Sequence, residues 1–215
     1  MARRDREVAL NFHDTCLYFS DVDLLKGPYW LNDQIISFYF EYLEKDVFEQ
    51  FSDRFLFISP EVTQCIKFSP EDVAMFLEPL RAHEKDFLFF ALNDNLQVER
   101  AGGSHWSLLV YSRPENTFFH YDSSYGSNHT HSVLLTNILM RALQVPHADF
   151  REASCLQQTN SYDCGIHVLC TVDLLCRMAV QRGELEGAGC VSHEAINCKR
   201  HDLMNIILDL GGRIY

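Results

Sequence analysis

DFLFFAL at 86–92, SHWSLLVYS at 104–112 and TFFHYD at 117–122 decide the fold class. Each is a short, strongly apolar run rich in aromatic and branched residues, which reads as a buried strand. The polar turn RPEN at 113–116 joins the last two. Upstream, WLND at 30–33 opens a predicted helix over 33–44, with Ile35, Ile36, Phe38, Tyr39, Phe40 and Leu43 at its apolar positions. Short strands are predicted at 7–12 and 15–19, ahead of the turn at Gly27-Pro28, and FLFIS at 55–59 reads as another. Ser59-Pro60-Glu61 and Ser69-Pro70-Glu71 each offer Ser as an N-cap and Pro at the first helical position, predicting helices over 60–67 and 70–78. Downstream, a helix over 131–144 ends before Pro146, a strand covers 149–153, and a long apolar helix runs from Cys164 to Gln181. GELEGAG at 183–189 is a loop, and Ser192 caps a final helix that stops at Gly211-Gly212. Helices gather at both ends and strands in the middle, so the class is α+β rather than alternating β/α.

The 215 residues carry 18 basic and 30 acidic side chains, a formal charge of −12. That excess argues against a nucleic-acid or anionic-membrane binder and fits a basic-faced protein partner. Length, composition and the absence of repeats or linkers lead to one domain over 1–215. No run approaches the roughly 18 consecutive apolar residues of a membrane span. The opening MARRDREVALNF mixes Arg with Asp and Glu and lacks a signal-peptide core, so a cytoplasmic or nuclear protein is expected. The eight cysteines then read as mostly reduced core residues. Cys164, Cys170 and Cys176 in particular lie six apart on one helix, a rotation of about 240° per step, and cannot share a face.

Three segments combine into a chemistry. A cysteine nucleophile works as a thiolate, favoured by a neighbouring imidazolium and by the positive end of a helix. Cys164 begins the long helix, His105 on a middle strand can supply the imidazolium, and Asp122 on the adjacent strand can orient the ring. Gln158, six residues before the cysteine, can donate to a tetrahedral oxyanion together with the Cys164 backbone N–H. Each residue also has a plain reading: small core cysteine, satisfied strand histidine, turn aspartate, loop glutamine. The order His, Asp, Gln, Cys favours the joint one. His120, on the same strand face as Asp122, is a second histidine read as core or cleft packing.

The string QxNxxDCG, the pair His105-Trp106, the FxxYDS segment and WLND resemble the Ulp/sentrin-specific cysteine proteases of ubiquitin-like modifiers. ISPEVTQ, AMFLEPL, AGGSHWSLLVY, FFHYDS and NSYDCG bring the chain closest to the deneddylating branch. The resemblance spans about 8–210 and implies a chain that is nearly all catalytic domain. It implies a papain-like α+β fold, a central mixed sheet flanked by helices, and cleavage after a C-terminal Gly-Gly with no cofactor. It carries over Cys164 as nucleophile, His105 as general base, Asp122 as orienting acid and Gln158, rather than Gln157, as oxyanion donor. Trp30 and Trp106 match two tunnel tryptophans, whose indoles leave room only for residues without side chains; packing is their plain alternative. Asp33 matches a modifier-facing position and could equally be a first-turn helix charge. The implied partner is the neddylation modifier and its conjugates, such as cullins, met by a monomer.

Cys190, His193, Cys198 and His201 read C-x2-H-x4-C-x2-H, with ligand types at plausible spacing, but the resemblance aligns the segment with a C-terminal helix, no carboxylate or second cluster supports a site, and no metal is expected. Three other functions compete: a SUMO-specific protease, an acyltransferase with a similar His/acid/Cys order, and a catalytically weak modifier-binding module. A transferase has no need of a diglycine channel, and all four catalytic residues are present.

Overall fold

The computed structural model describes residues 7–97 and 102–215; Ala101, the first residue of AGGSHWSLLVY, and the first six residues lie outside that range. Strands β1 (Val8–Phe12) and β2 (Thr15–Tyr18) form an antiparallel pair. The strand expected to reach residue 19 stops at Tyr18, because the Asp21 carboxylate accepts the Tyr18 N–H at 2.8 Å and turns the chain into helix α1 (Phe19–Asp23). Helix α2 (Asp33–Tyr42) starts where the Asn32 side chain accepts the Ile35 N–H, and it ends in a π-turn over Leu43–Val47.

After β3 (Phe55–Ile58), Ser59 caps α3 (Pro60–Phe68) as its sequence requires. The second Ser-Pro-Glu behaves differently. Ser69 closes α3, its N–H bonded to the Cys65 carbonyl, and residues 70–72 form a turn, so α4 is only Val73–Leu77. A serine used as the end of one helix cannot also start the next. Strands β4 (Phe87–Asn93), β5 (Trp106–Ser112) and β6 (Thr117–Tyr121) follow, then α5 (His129–Ala142), β7 (Asp149–Glu152), α6 (Cys164–Arg182) and α7 (His193–Asp209). Ser192 caps α7 by accepting the Ala195 N–H.

The strands form one five-stranded sheet in the order β3-β4-β5-β6-β7, parallel at both outer pairs and antiparallel at the two inner ones. Both faces are covered, which explains why β4 reads as an unbroken apolar run instead of alternating. Phe87, Phe89 and Ala91 face the core that holds Ile35 and Ile36 of α2 and Ile166 and Leu169 of α6. Leu88, Phe90 and Leu92 face Ile66 of α3, Val73 and Leu77 of α4 and Leu135 and Leu139 of α5.

Helix α6 is long and apolar enough to match a bilayer span, but 72% of that window is buried inside the protein. Packed around most of its circumference, it buries Cys164, Cys170 and Cys176 although they point in different directions. Those three are the only buried cysteines. Cys16 and Cys155 are half-buried and Cys65, Cys190 and Cys198 are exposed, so most of the eight are not core residues; all are unpaired thiols.

Candidate active site

His105 immediately precedes β5 and Asp122 immediately follows β6, so both lie at the same end of an antiparallel pair whose register sets Leu108 opposite Tyr121. This places His105 Nε2 2.6 Å from Asp122 Oδ1. Cys164 acts on the same ring, so the imidazole feels both the carboxylate and the sulfur. All three residues are buried, and Cys164 is 1% exposed. Cys164 occupies the first turn of the 19-residue α6, where unpaired backbone N–H groups and the helix dipole favour an anion.

Burial alone would push the His105 imidazolium toward neutrality. The hydrogen bonds from Asp122 and Cys164 and their charges outweigh it, and raise the ring from 6.5 to about 9. Burial likewise opposes ionisation of Asp122, but His105 and the backbone N–H groups of Asn128 and Ser124 hold its carboxyl below the usual range. Both N–H groups donate at 2.9 Å. The two readings of Asp122 are therefore the same geometry: it opens the turn SSYGSN and faces His105.

The strand end carrying His105 is fixed from behind. Asp94 accepts from Ser104 Oγ and N at 2.6 Å and from His105 N at 3.1 Å. Gly103 makes this approach possible, since at its φ of +92° a Cβ would lie 1.8 Å from Asn93 Oδ1. The buried Lys67, pushed down to about 8 by burial, donates at 2.7 Å to the carbonyls of Asn93 and Asn95 and anchors the same loop. Asn128, fully buried, donates to Ser107 Oγ at 2.9 Å and more weakly to the Leu92 and His105 carbonyls. Residue reading missed Asp94, Lys67 and Asn128. The only local signal was a dense Asn/Asp run at 93–95 and the polar turn before α5.

His120 is not part of the bridge. It is fully buried between Glu152, at 2.7 Å from Nδ1, and Ser107 Oγ, at 2.9 Å from Nε2, the packing role expected of it. Gln158 is partly buried beside the ends of β5 and β6: Ser123 Oγ donates to its Oε1 at 2.8 Å, and its amide nitrogen donates to the Asn160 carbonyl at 2.6 Å. An amide has two N–H donors, so one remains. Gln157 is exposed, and its side chain donates to the carbonyls of Asp122 and Cys155.

A cleft of about 750 Å³ leads to Cys164, lined by Trp30, Asp33, His105 and Trp106 among others. Trp30 is 46% exposed, which is not core packing. Trp106 is half-buried and donates its indole N–H to the Leu31 carbonyl at 3.0 Å, joining the two walls. Leu31 also sits where a Cβ on Gly165 would come within 3.0 Å, so the glycine after Cys164 lets the WLND segment lie against the start of α6. Asp33 is exposed in the first turn of α2, as its plain reading required, and still faces the cleft. Partial desolvation at the cleft wall and then the charge of Glu61 raise its pKa. Among the described residues no group of three or more His, Cys, Asp or Glu is placed to hold a metal.

Comparison with known proteins follows the same lines. Residues 29–200 match the family described as the Ulp1 protease family, C-terminal catalytic domain. Sentrin-specific protease 8 of Mus musculus is 47% identical over 180 residues, 81% of this chain and 80% of that protein. NEDD8-specific protease 1 of Arabidopsis thaliana is 36% identical over 176 residues, covering 80% and 76%. Among solved structures, a SUMO protease Ulp1 with its catalytic cysteine oxidised to a sulfenic acid superposes with TM-score 0.72 at 20% identity, over 97% of this chain and 90% of that one. The Ulp1 protease domain in complex with Smt3, the yeast ortholog of SUMO, gives 0.68 at 22% identity, over 95% and 88%. At that identity the likeness shows the fold.

Proposed function

We propose a function from one premise: the chain belongs to the Ulp1 protease family and is a cysteine protease. It cleaves after the C-terminal Gly-Gly of the neddylation modifier, trimming the precursor and releasing conjugates such as cullins, as a monomeric catalytic domain in the cytoplasm or nucleus. The observation that carries this reading is the His105 ring bonded to Asp122, with Cys164 on the lining of the same cleft, which Trp30 and Trp106 wall. The names of relatives at 47% and 36% identity support the choice of modifier.

In this mechanism the Cys164 thiolate attacks the terminal glycine carbonyl, forming the C–S bond while the carbonyl electron pair moves onto oxygen. The Cys164 N–H and the remaining Gln158 N–H meet that oxyanion. As the oxygen pair returns, the C–N bond breaks, and imidazolium His105 gives its proton to the leaving amine. Water, deprotonated by the now neutral ring, attacks the thioester; breaking the C–S bond releases the modifier carboxylate and restores the thiolate–imidazolium pair. Asp122 keeps the ring oriented and stabilises its charge. Two indoles over a narrow passage admit residues without side chains, which confines the tail to Gly-Gly, and Asp33 contacts the modifier beside it. The test is parallel release of a C-terminal fluorophore from the neddylation modifier, SUMO and ubiquitin. Preference for the first supports the proposal, and equal or greater rates on SUMO overturn the choice of modifier.

A further inference from the structure

Resting on that reading of Cys164, we infer that Arg200 of α7 is a positioning residue for catalysis, tying the nucleophile to the channel wall and balancing the charge beside the thiolate. Its guanidinium donates from Nη2 to Asp163 Oδ1 at 2.8 Å and from Nε to the same oxygen at 3.3 Å. Nη2 also donates to the Tyr29 carbonyl at 2.7 Å, and Nη1 to the Leu24 carbonyl at 2.8 Å. Asp163 is the residue before Cys164 and the N-cap of α6; Tyr29 is the residue before Trp30. One planar cation therefore joins the start of the nucleophile helix to the start of the WLND wall, using the fork geometry that Lys lacks.

The connection extends through the oxyanion loop. Asp163 Oδ2 accepts from Asn160 Nδ2 at 2.8 Å, and Asn160 Oδ1 accepts the N–H groups of Tyr162 and Asp163 at 3.0 Å. The Asn160 carbonyl accepts from Gln158, whose Oε1 accepts from Ser123, the neighbour of Asp122. From α7 a series of hydrogen bonds thus runs past the start of α6 to Ser123, the residue that follows the orienting acid in sequence. Arg200 and Asp163 are both largely shielded, with 16% and 15% of their side chains exposed.

The electrostatic part follows from sequence adjacency. A carboxylate one residue from Cys164, at a helix start, opposes the thiolate unless it is paired, and Arg200 is the pair. The other charged or titratable groups here are His105, on which Cys164 and Asp122 both act; Tyr162, whose ring lies 5.9 Å from the Arg200 guanidinium; and His167 one turn into α6, which feels Asp163, His105 and, from α7, His193. His167 is held toward its neutral form by burial, so it does not replace Arg200.

The test measures kcat and KM separately, and the pH dependence of kcat/KM, on a modifier with a C-terminal fluorophore for the wild type, Arg200→Gln, Asp163→Asn and the double variant. Arg200→Gln should lower kcat/KM about ten- to a hundred-fold, mostly through kcat. Its acid limb should move up by about one pH unit, because an unpaired carboxylate is left beside the thiolate. Asp163→Asn should move that limb down, and the double variant should return it near the wild-type position while its rate stays low. A folded Arg200→Gln variant with unchanged kcat and an unmoved limb overturns the inference. If Arg200→Gln does not fold, Asp163→Asn decides alone, and an unmoved limb in it is equally fatal. Wild-type protein without thiol-dependent hydrolysis would instead overturn the underlying reading of Cys164.

Discussion

Replacing Asp122 with Asn keeps the shape of the side chain and removes its charge. Oδ1 faces His105 and the Ser124 N–H, and Oδ2 faces the Asn128 N–H, so the new amide nitrogen meets a donor in either orientation. One buried donor is left unsatisfied, at about 1–3 kcal/mol. The larger effect is on His105. Two of the influences that raise its ring to about 9, the Asp122 hydrogen bond and charge, disappear, and burial pulls it back toward 6.5. At pH 8 the imidazolium fraction then falls from about 0.9 to about 0.03, roughly 30-fold from ionisation alone. Lost orientation and the wrong tautomer bring the total loss in kcat to about 10³–10⁴.

The same pair contributes to stability. A folded value near 9 above an unfolded one near 6.5 gives about 3 kcal/mol below pH 6.5 that is lost as pH rises to 9. Steady-state rates from pH 5 to 10, with thermal unfolding at the same pH values, measure both effects. The alkaline limb should start near 9 in the wild type and fall toward 6.5, by about two units or more, in the variant. A variant that retains more than a tenth of kcat, or keeps its alkaline limb, refutes the reasoning. Loss of stability without loss of rate would make Asp122 a turn residue only.

Three further substitutions probe the surroundings. Gln158→Ala should reduce kcat by about 10²–10³ with little change in KM, while Gln157→Ala, on an exposed side chain, should cost little; the reverse order in fluorophore-release assays would exchange their roles. Trp30→Ala and Trp106→Ala should lower kcat/KM on Gly-Gly tails and improve the relative rate on Gly-Ala or Ala-Gly tails, with equal losses on every tail counting against a steric channel. Trp30→Ala is the cleaner of the two because Trp106 adjoins His105 and anchors Leu31. Gly103→Ala, at φ +92° and against Asn93 Oδ1, should destabilise the fold by about 1–3 kcal/mol and reduce kcat, read by thermal unfolding and steady-state rates.

Much of this site is legible in the residues because its chemistry is concentrated in a few short strings. A strand pair that ends at His105 and Asp122 and a helix that begins at Cys164 are local facts of period and capping. What escaped is long-range. Nothing in NDN specifies that Asp94 will cap the backbone of His105, and nothing in PEVTQCIKF that the lysine eight positions into α3 will be buried under that loop. CVSHEAINCKRH draws attention to its Cys and His residues by ligand type, yet the side chains that reach inward are Ile196, Lys199, bonded to Asp173 and Tyr39, and Arg200. Helical phase about α7 sets that outcome, and only the packed partner helices reveal it. The expected helix over 70–78 shrank for the related reason that Ser69 was already committed to ending α3.

The central claim is that Cys164, held by His105 and Asp122, attacks the Gly-Gly carbonyl. The direct measurement is covalent capture by a neddylation modifier carrying a C-terminal electrophile, with the modified residue located by peptide mass spectrometry. Cys65 lines the same cleft and is exposed, so location matters as much as capture. The account predicts one adduct, on Cys164, formed by the wild type and abolished in Cys164→Ala, which should still bind the modifier. An adduct on Cys65 or another cysteine, or fluorophore release persisting in Cys164→Ala, would contradict it.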